Sequence, residues 1–219
     1  MASSRNNVGR AQAGRTEEDA LLDAARTAVL AVGLRRTTLT DVARRAGVSR
    51  MTIYRRWPDM SALVGDLMTR EWGALTQAAL AAAEGTTAAA EGTTADDATG
   101  NSADRAARQR FVAAITAATR ALRHHPVFRR IVELDPEILL PYLVDRRGRS
   151  QDQMLVMMST AIEHAADGSI RAGDPGLLAR GVLLATQGYV LSLPTMTDGY
   201  DEDALDDQLR LLLDRYLAP

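Results

Sequence analysis

The sequence predicts an all-α protein, and three observations support that prediction. The chain of 219 residues contains 38 Ala, 27 Leu and 26 Arg, all strong helix formers, whereas only 4% of its residues are aromatic. Apolar residues recur at three- and four-residue spacing along most of the chain, as on one face of a helix. No segment has the alternation of a convincing strand. We therefore expect nine or ten helices, arranged as a small N-terminal domain and a C-terminal helical bundle.

Length and composition exclude several classes of protein. A chain of this length buries a core large enough to fold without covalent or metal staples. The absence of cysteine excludes disulfides, thiolate metal sites and cysteine nucleophiles. The longest apolar stretches, such as 138–144, fall far short of the roughly 18 residues that span a membrane. Residues 1–15 lack the apolar region of a signal peptide, so we expect a cytoplasmic protein with no membrane partner.

The first helix is predicted to begin at Thr16, which forms a capping-box pair with Asp19. Its apolar face ends near Gly33, a residue that favours termination. The residues of that face are Leu21, Ala25, Ala28, Val29 and Val32. The preceding residues 1–15 hold three arginines and no acid, so we expect a flexible basic arm that either contacts a polyanion or is an inert tail.

Two short helices follow, joined by a tight turn. Thr38 and Asp41 repeat the capping pair and begin a helix that ends at Gly47, because glycine adopts the left-handed conformation of a helix C-terminus at the least cost. Ser49 caps the next helix, which Pro58 stops. A long fourth helix comes directly afterwards.

The second of these short helices has a basic outer face. Ile53 and Trp57, four residues apart, point inward. The side chains left outside or at the edges are Arg50, Met51, Thr52, Tyr54, Arg55 and Arg56. Residues 1–56 hold 11 arginines and five acids, a local charge of +6, so the remaining residues carry −8. This distribution indicates either a surface for a polyanion or an ordinary solvated face.

Two short helices joined by a glycine-containing turn form the arrangement of a helix-turn-helix, whose second helix enters the major groove of DNA. The residue types suit that role, because arginine forks onto guanine, threonine contacts a base edge or a thymine methyl, and a tyrosine hydroxyl reaches phosphate. The amides at the helix starts, Thr38 and Ser49, favour phosphate oxygens. A small three-helix bundle with a basic face has the same spacing, so the pattern alone leaves both interpretations open.

An alanine-rich polar segment separates these helices from the rest of the chain. The sequence AAAEGTT occurs at 81–87 and again at 88–94, and no large apolar residue lies between 81 and 104. Such a segment buries too little surface to offset the entropy of ordering it, so we expect residues 81–104 to form a flexible insertion. Gly85 and Gly92 should limit extension of the preceding helix.

The C-terminal region contains further predicted helices. They cover 102–124, 126–134, 137–144, 150–164, 175–193 and 201–217. The helix at 137–144 is expected to use Asp135 and Pro136 as its cap and first residue. Paired acids such as Asp206 and Asp207 are interpreted as solvated charge.

A long motif runs through the helix-turn-helix, with the sequence TTLTDVARRAGVSRMTIYRRWPDMSALV at 37–64. Its characteristic residues are Thr38, Ala43, Gly47, Val48, Ser49, Thr52, Ile53, Tyr54, Trp57, Pro58 and Leu63. With this motif, residues 16–76 resemble the DNA-binding domain of the TetR family of bacterial transcriptional regulators. Two positions depart from the family pattern: Met51 stands where a small residue is usual, and Met60 where a basic residue often touches phosphate, so we do not expect that contact. The segments 124–143 and 167–175 resemble the C-terminal region of one member type.

The resemblance implies a homodimeric DNA-binding regulator, usually a repressor, that leaves a pseudopalindromic operator when a small molecule enters the C-terminal domain. It implies a DNA-binding domain at 16–76, with the motif at about 38–57, and an effector-binding and dimerisation domain at 105–219. The expected DNA-binding residues are Thr38, Ser49, Arg50, Met51, Thr52, Tyr54, Arg55 and Arg56. The expected partners are a double-stranded DNA operator, a second copy of the chain and a small, apolar effector.

The last two predicted helices offer a dimer interface. The segment 177–193 is apolar almost all round, which calls for burial on two sides, and small residues recur along one stripe of it. The candidate interface residues are Gly181, Ala185, Gly188 and Ser192, with Leu205, Leu209, Leu212 and Tyr216 on the last helix. Two such helices per chain would form an isologous four-helix interface, and ordinary core packing is the alternative.

The candidate residues for an effector pocket are mostly apolar, with several methionines at irregular spacing that can adapt to an apolar ligand. They are Phe111, Ile115, Thr119, Phe128, Ile131, Tyr142, Met154, Met157, Met158, Ile162, Leu183 and Gln187. The same stripe of residues would serve equally as plain core.

We expect no metal site, cofactor or enzymatic activity. His124 and His125 are adjacent, so on a helix they point about 100° apart and cannot chelate one ion from the same face, and His164 is isolated. No phosphate-binding glycine loop, nucleophile elbow or zinc-protease motif occurs. The alternatives to a DNA-binding regulator are a helical enzyme and a helical module whose basic part docks an acidic protein.

Overall fold

The computed structural model of the protein describes residues 3–91, 101–165 and 168–219. Within these ranges the chain forms ten α-helices and no strand, which confirms the predicted all-α class. The helices are α1 (Ser3–Val32), α2 (Leu39–Ala46), α3 (Arg50–Arg56), α4 (Met60–Glu91), α5 (Asn101–Arg123), α6 (Pro126–Leu134), α7 (Leu140–Val144), α8 (Arg149–His164), α9 (Pro175–Leu191) and α10 (Glu202–Leu217). Across the described ranges, none of them is both long and apolar enough to cross a membrane.

The chain divides into two compact units. The first contains residues 1–71 together with 126–148, and the second contains 72–125 together with 149–219. Residues 126–148, which were expected to belong to the effector-binding and dimerisation domain, pack instead with the N-terminal helices. The physical reason is the apolar face of α6, where Val127 and Ile131 are buried against Val29 and Leu34.

The first unit has a core in which α1, α2, α3 and the start of α4 bury their predicted apolar faces. Its fully buried large side chains include Leu21 from α1, Val42 from α2 and Leu63 from α4, and they surround Ile53 and Trp57. Because these faces recur at three- and four-residue spacing, each helix contributes one stripe to a common centre. This core holds the helix-turn-helix in place.

The second unit is a bundle in which α5, α8, α9 and α10 share one apolar core. Val112 of α5, Met158 of α8, Val182 of α9 and Leu213 of α10 all lie in it. Fully burying a side chain of this size contributes about 1.5–3 kcal/mol, so this cluster supplies most of the driving force for the bundle.

The predicted caps of α2 and α3 and the turn between them are confirmed by their hydrogen bonds. The Thr38 hydroxyl accepts from the Asp41 amide at 3.1 Å, and the Ser49 hydroxyl accepts from the Thr52 amide at 3.1 Å. Gly47 has a φ of +70°, the left-handed conformation expected after the last turn of α2. These caps satisfy amides that have no partner within their own helix.

Three element boundaries differ from the prediction. Helix α1 begins at Ser3 rather than Thr16, and α4 continues through Gly85 to Glu91. In both places a proline-free segment rich in Ala or Arg continues the helix, because each glycine within it costs only about 1 kcal/mol. The predicted helix at 137–144 is split into a 3₁₀ turn at Pro136–Ile138 and the short helix α7, since proline at 141 lacks the amide that a continuous helix needs. Of the predicted insertion, residues 92–100 lie outside the described residues, as does Asp167 of the loop at 167–175.

Candidate nucleic-acid interface

Helices α2 and α3 form a helix-turn-helix closed by short-range hydrogen bonds. The Val48 amide donates to the Ala43 carbonyl at 3.0 Å, and the Gly47 amide donates to the Arg44 carbonyl at 3.3 Å. Ser49 then begins α3. The left-handed conformation of Gly47 ends α2, and only three residues separate α2 from α3, the short glycine-containing connection that the motif requires.

Helix α3 is anchored by its inward face. Ile53 and Trp57 are buried, as predicted, and the Trp57 indole Nε1 donates to the Asp66 carboxylate at 2.8 Å. A buried indole needs such an acceptor, so this hydrogen bond fixes the rotation of α3 about its axis. The rotation in turn decides which side chains of α3 face outward.

Four side chains make up the outward face of α3. Met51 is 78% exposed and Tyr54 is 49% exposed, and Arg50 and Arg55 are also exposed. Neither arginine forms an ion pair with a described side chain, so both guanidinium groups can accept a new partner. We refer to Arg50, Met51, Tyr54 and Arg55 as the α3 outer face.

The other four predicted DNA-binding residues are engaged within the first unit. The hydroxyls of Thr38 and Ser49 cap α2 and α3, and the Thr52 hydroxyl lies 2.9 Å from that of Ser49. The Arg56 guanidinium pairs with the Glu18 carboxylate of α1 and stacks over the Trp57 ring at 5.4 Å. The Thr38 hydroxyl also donates to the Asp41 carboxylate, and this hydrogen bond lowers the pKa of Asp41. These residues hold the motif together.

One residue that positions the motif was missed in the sequence. Asp135, at the end of α6, is buried, and its carboxylate accepts from the amides of Leu34 at 2.6 Å and Arg35 at 3.4 Å. Gly33 has a φ of +84°, and a Cβ there would approach the Asp135 carboxylate to 2.9 Å, so only glycine fits. Asp135 thus holds the connection between α1 and α2. The sequence marks Asp135 only as a helix cap, but its side chain makes no cap hydrogen bond, and its partners lie about 100 positions away, where no local pattern indicates them.

The candidate dimer residues are divided by the structure into two groups. Leu209 is fully buried in the second unit, and Tyr216 covers Gly181 so closely that a Cβ at 181 would overlap the Tyr216 hydroxyl. Ala185 packs against the same core, and Leu205 is half-buried. The three exposed candidates are Gly188, Ser192 and Leu212. The small-residue stripe of α9 is therefore partly filled by the chain's own last helix.

Larger apolar side chains of α9 and α10 lie on the surface instead. On α9, Leu177 is 65% exposed and Leu184 is 70% exposed, seven residues apart. On α10, Leu211 and Leu212 are each about half exposed. We refer to Leu177, Leu184, Gly188, Leu211 and Leu212 as the bundle outer face.

The candidate pocket residues are also divided between the units. The core of the second unit contains Phe111, Ile115, Met154, Met158, Ile162 and Leu183. Thr119 is buried and its hydroxyl donates to the Ile115 carbonyl, Gln187 is half-buried, and Met157 is 40% exposed. Phe128, Ile131 and Tyr142 belong to the first unit, where Ile131 packs with Val29.

A charged cluster joins α5 to α10 in the second unit. The Arg123 guanidinium is buried and pairs with the buried carboxylate of Asp206 at 2.8 Å, so the prediction that Asp206 is solvated charge was wrong. Arg120 pairs with Asp203, and His124 Nε2 lies 2.8 Å from the Glu202 carboxylate. Burial raises the pKa of Glu202, but the His124 hydrogen bond and the Arg123 charge outweigh it, so the net pKa lies below its usual value. No group of three or more His, Asp or Glu side chains suited to a metal ion occurs among the described residues.

Comparison with known proteins points to one family. The model of the bacterial regulatory proteins of the tetR family matches residues 21–67, which include α2 and α3. An uncharacterised HTH-type transcriptional regulator of Mycobacterium bovis is 30% identical over 199 residues, covering 90% of this chain and 93% of that protein. A regulator of Mycobacterium tuberculosis strain H37Rv with the same description is also 30% identical over the same shares.

Solved structures show the same fold. The TetR-family transcriptional repressor QsdR of R. erythropolis superposes with a TM-score of 0.61 at 14% identity, covering 93% of this chain and 95% of that one. The TetR-family repressor AlkX of a Dietzia species gives a TM-score of 0.60 at 16% identity, over 91% and 94%. From the helix-turn-helix geometry, the family match and the full-length relatives, the chain belongs to the TetR family of bacterial DNA-binding transcriptional regulators.

Proposed function

We propose that the protein is a homodimeric repressor that binds a pseudopalindromic operator with the α3 outer face and is released by a small apolar effector. The observation that carries this proposal is the rotation of α3. Ile53 and Trp57 are buried, and as a result two arginines without a described acidic partner, a tyrosine and a methionine face outward. In a helix-turn-helix that face enters the major groove.

The α3 outer face combines two kinds of DNA contact. Arg50 and Arg55 can form bidentate hydrogen bonds with guanine or contact phosphates, and the Tyr54 hydroxyl can donate to a phosphate. Thr38, Ser49, Thr52 and Arg56 act on DNA mainly by fixing the motif, since their polar groups are already hydrogen-bonded or ion-paired. Thr38, at the start of α2, is exposed, and the amides of a helix start favour phosphate oxygens.

The bundle outer face supports dimerisation. Exposed leucines grouped on one face of a helix mark an interaction surface, and on α9 Leu177 and Leu184 are 65% and 70% exposed. Helices α9 and α10 pack side by side in the second unit, so two copies would pair their exposed leucines in an isologous four-helix interface. Such a dimer presents two α3 helices to two half-sites.

The effector is proposed to bind in the core of the second unit. Phe111, Ile115, Met154, Met158 and Leu183 bring side chains from α5, α8 and α9 together. Methionine side chains are flexible and can repack around a guest, so a small apolar molecule is the class that this lining suits. An effector that favours a wider spacing of the two α3 helices lowers the affinity for DNA. Bound DNA then lowers the affinity for the effector by the same factor.

Selection of DNA duplexes from a random library with the full-length protein, followed by gel-shift titration, tests DNA recognition. We expect a pseudopalindromic site whose affinity falls steeply as salt rises. Arg50→Ala and Arg55→Ala should weaken binding, with relaxed base preference if the arginine reads a base. Arg129→Ala on α6, at an exposed position outside both the α3 outer face and the bundle outer face, is the matched control and should bind normally. Failure to select any duplex, or binding that is indifferent to salt, would refute the proposal.

Two further measurements test the dimer and the direction of regulation. Leu184→Asp should convert a species of twice the 23.6 kDa chain mass into a monomer in sedimentation equilibrium, because each partner would bury a carboxylate. Val156→Asp, at an exposed position of α8, is the matched control. A Leu184→Asp variant that stays dimeric contradicts the assigned surface.

In a transcription assay with the selected site beside a promoter, added protein should lower transcript yield.

A further inference from the structure

Met51 is an exposed apolar side chain at the centre of a polar surface. It is 78% exposed, whereas the other large apolar side chains of the helix-turn-helix, Leu39, Val42, Ile53 and Trp57, are buried. Its position on α3 places it on the same side as Tyr54 and Arg55, three and four residues further on. It lies in the first turn of α3, the end that contacts base edges in a helix-turn-helix.

The surroundings of Met51 narrow what it can contact. Arg50 and Arg55, which have no described acidic partner, can donate hydrogen bonds to guanine. The Thr52 hydroxyl is already hydrogen-bonded to the Ser49 hydroxyl. Met51 has no donor and only a weak acceptor, so it cannot read the polar groups of a base. The major groove exposes one apolar group, the 5-methyl of thymine.

We propose that Met51 is a specificity-determining residue that reads the 5-methyl group of a thymine in each half-site of the operator. The inference rests on the proposed function, in which the α3 outer face enters the major groove. An unbranched thioether with three rotatable bonds can move to cover a methyl group beside the arginine contacts. The operator is therefore expected to contain a thymine next to the base pairs that Arg50 or Arg55 contacts.

Replacement of thymine by uracil isolates this contact, because it removes one methyl group and leaves base pairing unchanged. A methyl group shielded from water is expected to contribute about fourfold to affinity per half-site, and about fifteenfold when both half-sites lose it. Met51→Ala should lose the same factor in affinity for the duplex that contains thymine. Its affinity should not change when uracil replaces that thymine. Met51→Leu keeps an apolar side chain and should remain sensitive.

The experiment begins with the duplex selected by the full-length protein. Each thymine is replaced by uracil in turn, symmetrically in both half-sites, and dissociation constants are measured by fluorescence anisotropy for the native protein, Met51→Ala and Met51→Leu. Val144→Ala, which alters an exposed apolar residue of α7, is the control and should show the native pattern. Because Met51 is exposed, its variants should melt at the native temperature.

The outcomes separate the two levels of the proposal. One uracil-sensitive position per half-site that loses its sensitivity only in Met51→Ala supports the inference. A selected duplex with no uracil-sensitive position, or one whose sensitivity persists unchanged in Met51→Ala, overturns the role of Met51 and leaves DNA recognition by α3 intact. Failure to select any duplex overturns the proposed function and this inference together.

Discussion

Replacing Asp135 should loosen the connection that leads into the helix-turn-helix. Its carboxylate is buried and accepts a 2.6 Å hydrogen bond from the Leu34 amide and a longer one from the Arg35 amide. In Asp135→Ala the one carboxylate oxygen that accepts both hydrogen bonds disappears, and the buried Leu34 amide keeps no described partner. In Asp135→Asn the side-chain carbonyl can still accept from Leu34, so this variant separates the loss of the acceptor from the loss of the charge.

The expected magnitude follows from the burial. A buried donor left without its acceptor costs about 1–3 kcal/mol, and a hydrogen bond to a charged acceptor lies toward the upper end of that range. We expect Asp135→Ala to lower the free energy of unfolding by about 2 kcal/mol, which corresponds to a fall in Tm of about 4–8 °C for a chain of this size. Asp135→Asn should lose about 1 kcal/mol or less.

Urea denaturation followed by circular dichroism measures the stability, and hydrogen exchange measures the local effect. The Leu34 amide should exchange about 30-fold faster in Asp135→Ala, the factor equivalent to 2 kcal/mol, and stay protected in Asp135→Asn. Asp145→Ala, an exposed acid of the same segment, is the control and should change stability by about 0.5 kcal/mol or less. An Asp135→Ala variant as stable as this control, or an unchanged Leu34 amide, would refute the reasoning.

Three further perturbations test other parts of the structure. The pKa of Glu202 is lowered in the folded protein, so its ionised carboxylate stabilises the fold at pH values above about 4.3, the usual pKa of a glutamate. This contribution is lost as the pH falls through the lower pKa of the folded protein. In urea titrations between pH 6 and pH 3, Glu202→Gln should therefore lose less stability than the native protein, with Asp198→Asn as the control. Gly181→Val should lower stability by about 1–3 kcal/mol in thermal melts, because the new side chain overlaps Tyr216, and an unchanged Tm would show that Tyr216 does not cover this position. Ser49→Ala should cost about 1 kcal/mol through loss of the α3 cap, whereas Ser49→Asp should keep most of it, and equal losses in the two variants would argue against capping.

The helix-turn-helix was predictable because its determinants are local. A cap needs a side-chain oxygen three residues before an amide, as in Thr38 with Asp41, and the turn needs a residue that tolerates positive φ, here Gly47. The burial of Ile53 and Trp57 follows from their four-residue spacing. The outward position of Met51 then follows from the same helix geometry.

The proposed dimer surface shows where local patterns stop being informative. Helix α9 is apolar almost all round, so its sequence contains no signal for which stripe faces the core. The small residues around Gly181 suggested a surface for another backbone, but Tyr216 of α10 occupies that space. Only the packing of α5, α8 and α10 around α9 decides that Leu177 and Leu184 are the exposed side chains.

The sequence by itself determined the helical class, the caps and turn of the motif, and the residues that α3 turns outward, because each of these depends on neighbours within about four positions. Only the tertiary structure decided that Asp135 holds the amide of Leu34, that Asp206 is buried against Arg123 and that Arg56 is tied to Glu18. These pairs join residues 38 to 101 positions apart in the chain. A charge or carboxylate looks the same in the sequence whether it faces water or a distant partner, and only packing distinguishes the two.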